Sequence, residues 1–351
     1  MSTPTLSHVI RRHMTVPVDQ RDPAWLCDAL QSAVALELAT IPPYLYGLFS
    51  IKDPSCDVAV HIRKIVLQEM LHMGLACNLL TAAGGTPAVK AAARSYPTPL
   101  PGNIRHEELT VYLEGLAAAP CDDNDVVKKV FMEIEMPETP VAHAQRGDDA
   151  YPTIGLFYKA VRDAFDACSA HLPYAQQRQL EARIGDDKIF KITNLADADR
   201  AIDLIVDQGE GKPGSPETLG HRGPRDTDPA DLAHYYRFKE IWRGRALRYH
   251  ADSQQWEYDG DPVPRPPVHP LARVPADGWQ DAPADVRAKL DACNLSYQLL
   301  LIRLEQAWQS KPGALGQAIG AMFEFAAQAR DLISHQDGRT KIYGPEFRPP
   351  L

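Results

Sequence analysis

At 351 residues the chain has length for one large domain or two, and with 44% hydrophobic residues it can fill a full core. Its 46 acidic residues outnumber 37 basic ones, for a net charge of −9, which argues against nucleic acid or an anionic membrane as partner. The six cysteines, Cys27, Cys56, Cys77, Cys121, Cys168 and Cys293, form no C-x-x-C pair, which fits reduced thiols and excludes zinc-ribbon and iron–sulfur motifs. No run of eighteen apolar residues suggests a membrane span, and the opening MSTPTLSHVIRRHMTV lacks the apolar block of a secretory signal, so a cytoplasmic protein is expected.

In chain order, Leu6 to Met14 reads as a short helix whose His8 and His13 read as surface residues. Asp22-Pro23 is a helix start, a capping residue followed by proline at the first helical position. The helix it opens carries Leu26, Leu30, Ala33, Val34, Glu37 and Ile41 on one face, until Pro42-Pro43 bend or end it. Asp53-Pro54 signals the next start. Its inward face is Ile62, Ile65, Val66, Glu69, His72, Met73, Ala76, Leu79 and Leu80, and Gly84-Gly85 stop it. A proline-bearing loop covers 86–105. Helices are expected over 106–119 and 122–135; Glu133 and Glu135 precede Pro137, and Glu133 reads as a solvated helix end. His143 falls in a polar loop. Thr153 to His171 is a strong helix, with Ile154, Phe157, Tyr158, Val161, Phe165 and Cys168 inward. KIFKITNL has strand character, and Ala196 to Gln208 is helical, with Glu210 one turn beyond Val206. The following GEGKPG lacks the spacing and preceding strand of a phosphate loop. Asp228-Pro229 starts a helix that puts His234, Phe238, Ile241 and Arg245 on one stripe. A proline-rich stretch, 251–281, separates a bundle over 1–250 from a helical hairpin over 282–351 (284–309 and 313–335) packed on it.

Glu37, Glu69 and His72 stand where core-facing helices should carry aliphatic side chains. A buried carboxylate is costly unless it is paired or bound to a cation. One Glu from one helix and Glu-x-x-His from the next is half of a bundle-type carboxylate metal site. Spacing alone does not decide this, since roughly one or two acidic-x-x-His matches arise by chance at this composition and the chain has two, Glu69/His72 and Asp231/His234. Position on apolar stripes is what raises the reading, and His234 repeats the anomaly. The bland alternative is a buried Glu–His pair satisfied by its neighbours.

The segments LELATIPPYL, QEMLHM, YPTIGLFYKA, DQGEG, HYYRFKEI, AMFEF and GPEF, in that order along most of the chain, resemble the ferritin-like family of the iminophenyl-pyruvate dimer synthases of violacein- and rebeccamycin-type pathways. The resemblance implies an all-α, ferritin-like four-helix bundle elaborated with long irregular loops and a C-terminal helical hairpin. It implies Glu37, Glu69, His72, Glu210 and His234 as metal ligands. Where the family pattern has Glu after Ile-Gly, this chain has Leu156, so a fourth carboxylate is missing there and a single metal on His72, His234 and one Glu becomes an option. Asp207 or Asp231 could replace it.

Carboxylate and imidazole without thiolate suit iron, one ion or two, with manganese or zinc as alternatives. The expectation is a non-haem iron-dependent oxidase or oxygenase acting with O2 on a small, amino-acid-derived molecule in secondary metabolism, as a small homo-oligomer. Tyr44, Tyr46, Phe157, Tyr158 and Tyr235 can line its pocket, although most such aromatics are ordinary core. The alternatives are a ferroxidase or iron- or manganese-handling protein, and a non-catalytic helical scaffold in a biosynthetic assembly.

Overall fold

The computed structural model describes residues 6–100, 109–137, 154–209, 216–218 and 231–350. Helix α1 (Leu6–Thr15) lies on α2 (Pro23–Ser50). The Asp22 carboxylate accepts from the Trp25 amide at 2.8 Å, and Pro23 takes the first helical position. Of the two outcomes expected at Pro42 and Pro43, a bend or an end, the helix does not end there: α2 runs through both. They deprive the carbonyls of Leu38 and Ala39 of their helical donors. Tyr96 Oη donates to the Ala39 carbonyl at 2.7 Å in their place. Helix α3 (Asp57–Ala82) starts after the Asp-Pro signal, because the Asp53 carboxylate closes a turn with the amide and hydroxyl of Ser55, at 2.9 and 2.6 Å. It ends before Gly84, whose φ of +100° favours glycine. His13, expected at the surface, is buried with its Nε2 at 3.1 Å from Ser32 Oγ.

After α4 (Val89–Ala92), strand β1 (Thr98–Leu100) pairs antiparallel with β2 (Leu109–Val111). The helix expected over 106–119 is therefore absent from 109–119. Leu109, Val111 and Leu113 point inward at every second residue, a strand period, and Thr110 between them is exposed. The stretch after Asp122 forms a π-helical turn (Val127–Phe131) that runs into α5 (Met132–Ile134). Then come α6 (Ile154–Cys168), the hairpin β3 (Ala182–Ile184) and β4 (Asp187–Ile189), α7 (Leu195–Gly209), α8 (His234–Arg243) and the hairpin β5 (Arg248–His250) and β6 (Gln255–Glu257). The expected C-terminal helical hairpin is α9 (Ala284–Trp308) and α10 (Ala314–Ser334).

The layout is a helical bundle with two continuous columns, α2 and α3. The other two columns are each split. On one side α6 packs against α2 and the π-helical turn meets Tyr44 and Gly47 of α2; on the other, α7 and α8 each pack against α3. Helices α6 and α7 touch at one end, and α5 touches α8 at the other. Helices α2 and α3 are long and apolar enough to cross a membrane, but 78% and 89% of their most apolar windows are buried inside the protein, as in core helices.

Candidate metal centre

The splits in the two outer columns bring five titratable side chains together at the middle of the bundle. Glu37 comes from α2, Glu69 and His72 from α3, Glu135 from the end of the α5 segment and His234 from the first residue of α8, and all five are buried. His72 Nδ1 lies 3.7 Å from Glu37 Oε2 and 3.7 Å from Glu69 Oε1. His234 Nδ1 lies 2.8 Å from Glu69 Oε1 and 3.5 Å from Glu135 Oε1. Two Glu–Glu–His groups result, Glu37–Glu69–His72 and Glu69–Glu135–His234, with Glu69 common to both. The two imidazoles stack with centroids 5.7 Å apart.

A second layer repeats the same symmetry. Tyr158 Oη donates to Glu37 Oε1 at 2.5 Å, and Tyr44 Oη donates to Glu135 Oε1 at 2.5 Å. The far nitrogen of each histidine meets a glutamine oxygen: His72 Nε2 is 2.9 Å from Gln208 Oε1, and His234 Nε2 is 3.1 Å from Gln68 Oε1. Thr40 Oγ1 lies 2.8 Å from Glu69 Oε2. Phe131 and Phe238 pack against Tyr44, with centroids 4.8 and 5.0 Å from it, and keep that flank dry.

Burial, reinforced by the charge of Glu69, raises Glu37 well above the ordinary carboxylate range despite the Tyr158 hydrogen bond. Burial also pushes His72 down to about 4. For His234 burial again pulls downward, but Glu135 and Glu69 outweigh it and hold the ring up at about 10. Burial and the adjacent carboxylates raise Tyr44 and Tyr158 well above 10, so both remain hydrogen-bond donors.

These residues fit a metal. The donors are oxygen and nitrogen only, which suits a hard or borderline cation. His234 Nδ1 is buried without an aligned hydrogen bond although a carboxylate oxygen sits 2.8 Å away. Both atoms converge on shared space, as ligands to one ion do. Three buried carboxylates in contact are otherwise tolerable only by holding protons.

Four of the five residues expected as ligands, Glu37, Glu69, His72 and His234, meet here. Glu210 and His143 lie outside the described residues. Leu156 was expected to face the site in place of a carboxylate; it is 38% exposed, and α6 instead reaches inward with Tyr158. Asp231, a suggested substitute, pairs with Lys64 at 2.8 Å and Arg237 at 3.8 Å, whereas Asp207 is buried on α7 beside Gln208. Of the suggested pocket aromatics, Tyr44 and Tyr158 reach the carboxylates. Tyr46 instead donates to the Ala272 carbonyl, Phe157 packs in the core, and Tyr235 meets Tyr236 edge to face. Glu135, which joins this cluster, was not among the expected ligands. Its signal was present, because Val127, Phe131 and Glu135 follow one another at four-residue steps and the first two are buried.

A helical bundle with a buried carboxylate–imidazole centre defines a class of helical proteins built to hold metal ions at mid-bundle. The ferritin-like family model matches residues 30–243, well over half of the chain, and the chain belongs to that family. A ferritin-like protein from Caulobacter vibrioides, solved as a crystal structure, has the same fold, with a TM-score of 0.60 at 23% identity, over 91% of this chain and 97% of that one. No curated protein matches the chain.

Proposed function

We propose that this ferritin-like protein is a non-haem metal-dependent oxidoreductase in which Glu37, Glu69 and His72 would hold one metal ion and Glu69, Glu135 and His234 a second, acting with O2 on a small, amino-acid-derived molecule. The observation that carries the reading is the pair of Glu–Glu–His groups sharing one carboxylate, each with its own tyrosine and glutamine. Iron suits that donor set, and the resemblance to the dimer-synthase family supplies the substrate class. When bound, the metal supplies the electron exchange with oxygen and substrate. The chain's own residues do the rest. Tyr158 holds Glu37 Oε1, which leaves Oε2 turned to His72, and Tyr44 holds Glu135 Oε1, the oxygen that also faces His234. Gln208 and Gln68 fix the histidine rings. The Tyr44–Phe131–Phe238 cluster excludes water, and Glu37 and His234 release protons as cations enter.

The test is metal content by mass spectrometry after iron-supplemented expression. A metal-to-protein ratio near two is expected in wild type. Glu69→Ala should lose most of it, Glu135→Ala about half, and Glu133→Ala none. Metal-free wild type would overturn the reading. Iron oxidised rapidly without any organic substrate would move the function to iron handling.

A further inference from the structure

The hairpin β3–β4 reaches the centre through one side chain. Asp187, the first residue of β4, lines a surface cavity of about 530 Å³ together with Glu181, Arg183 and Lys188. Its Oδ2 accepts from Gln208 Nε2 at 2.9 Å, and Gln208 Oε1 is 2.9 Å from His72 Nε2. An ionised carboxylate has no proton to give, so it accepts only. The amide of Gln208 must therefore turn its NH2 toward Asp187, which leaves its oxygen toward His72. That oxygen also only accepts, so His72 Nε2 must carry the proton. The remaining nitrogen, Nδ1, then presents a lone pair to Glu37 and Glu69, each 3.7 Å away.

We infer that Asp187 is a positioning residue that sets the tautomer of His72 from the protein surface, through Gln208, and thereby makes Nδ1 a ligand. The inference rests on the metal-centre reading for its consequence but not for its first arm, since a tautomer exists without metal. The chain of donors works in one direction. A carboxamide at 187 could offer its own NH2 to Gln208 Oε1. The Gln208 amide would then turn its NH2 toward His72 Nε2, moving the ring proton to Nδ1 and blocking it as a ligand. Asp187 is only part-buried, so changing it leaves the packing of the bundle in place.

The experiment uses the full chain and two variants, Asp187→Asn and the double variant Asp187→Asn with Gln208→Glu. The double variant restores an acceptor-only group facing His72, now held by the NH2 of the carboxamide at position 187. The first arm reads the tautomer of His72 by ring nitrogen-15 shifts at pH 7.5 in chelator-stripped protein. Wild type and the double variant should carry the proton on Nε2, and Asp187→Asn should move a large share of it to Nδ1. His234, backed by Gln68, should be unchanged in all three and serves as the internal control. The second arm titrates Co(II) by calorimetry. Asp187→Asn should weaken one of the two positions about 10- to 100-fold, the usual effect of losing an outer partner of a ligating histidine, and the double variant should recover most of it. A wild-type tautomer and wild-type Co(II) affinity in Asp187→Asn would overturn the inference. So would a folded double variant that recovers neither. Wild type that binds no Co(II) while its tautomers follow the expected pattern would instead overturn the metal-centre reading and leave the role of Asp187 standing.

Discussion

His72 and His234 face the same carboxylate, Glu69, yet are driven in opposite directions. His72 falls to about 4, as does His61 nearby on α3, whereas His234 rises to about 10. A histidine whose folded value lies below its ordinary 6.5 is protonated more readily in the unfolded chain, so stability is lost as pH falls from 6.5 toward 4. A histidine whose folded value lies above 6.5 contributes stability that is complete below 6.5 and lost as pH rises toward 10. Glu37, raised above its ordinary 4.5, acts in the same sense as His234, but below pH 6.5 two histidines outweigh it. The chelator-stripped protein should therefore melt highest near pH 6.5 and lower on either side. Saturating Co(II), which takes the place of those protons, should abolish the alkaline decline. Calorimetric melting points from pH 4.5 to 9.5, with and without the metal, check both. A flat alkaline limb in stripped protein would show that the carboxylates do not hold a proton on His234. At this scale Glu69 and His72 were legible because a carboxyl group and an imidazole inside an apolar stripe contradict their surroundings. Gln68, Gln208 and Thr40 were not, because a polar side chain beside an apolar stripe acquires a role only through partners brought in by the fold.

Two elements depend on single contacts from outside themselves. Helix α2 survives its two internal prolines with the help of the Tyr96 hydroxyl on the Ala39 carbonyl. Tyr96→Phe keeps the ring and removes that donor, leaving a buried carbonyl unsatisfied at a cost of about 1–3 kcal/mol, to be read from urea midpoints. A loss under ~0.5 kcal/mol would mean that the carbonyl finds another donor. Helix α3 carries Gly74 against β4, where an added Cβ would meet Ile189 Cδ1 at 2.3 Å and Cγ1 at 2.8 Å. Glycine to alanine inside a helix ordinarily stabilises by about 0.5–1 kcal/mol. Here overpacking of about 1–3 kcal/mol should win, and Gly74→Ala should destabilise. Ile189→Val removes the nearest carbon and should partly rescue it; a double variant no better than the sum of its parts would place the strain elsewhere. This contact seats β4, and with it Asp187, two residues before Ile189. The long helices were readable from caps and stripes. The helix expected over 106–119 was misjudged because a few apolar residues fit two periods, and pairing with β1 decided between them.

Across the whole molecule, the helices were legible as apolar stripes and the bundle class came with the family resemblance, but the division of two columns into segments was in neither. That division depends on which segments stack end to end, which no local pattern encodes. The part of the chain that ties these pieces together is also polar. Asn78 of α3 is fully buried and makes four hydrogen bonds. Its Nδ2 donates to the carbonyls of Leu180 and Phe190, at 2.8 Å each, and its Oδ1 accepts from the Leu180 amide and from Trp308 Nε1, at 3.0 Å each. One side chain thus joins the bundle, the segments flanking β3–β4 and the last turn of α9. Asn78→Ala strands two donors and two acceptors in a dry interior, each worth about 1–3 kcal/mol if left unpaired, although partial relaxation makes the sum less than additive. Trp308→Phe removes one donor and keeps most of the ring. The expected order in denaturant melts is a loss above ~3 kcal/mol for Asn78→Ala and about 1–3 kcal/mol for Trp308→Phe. If Asn78 couples the hairpin to the bundle, Asn78→Ala should also separate the change in tryptophan fluorescence, to which Trp308 contributes as one of five tryptophans, from the loss of helical circular dichroism, whereas the two should coincide in wild type. Coincident transitions in Asn78→Ala would show that apolar packing of α9 alone holds the hairpin in place.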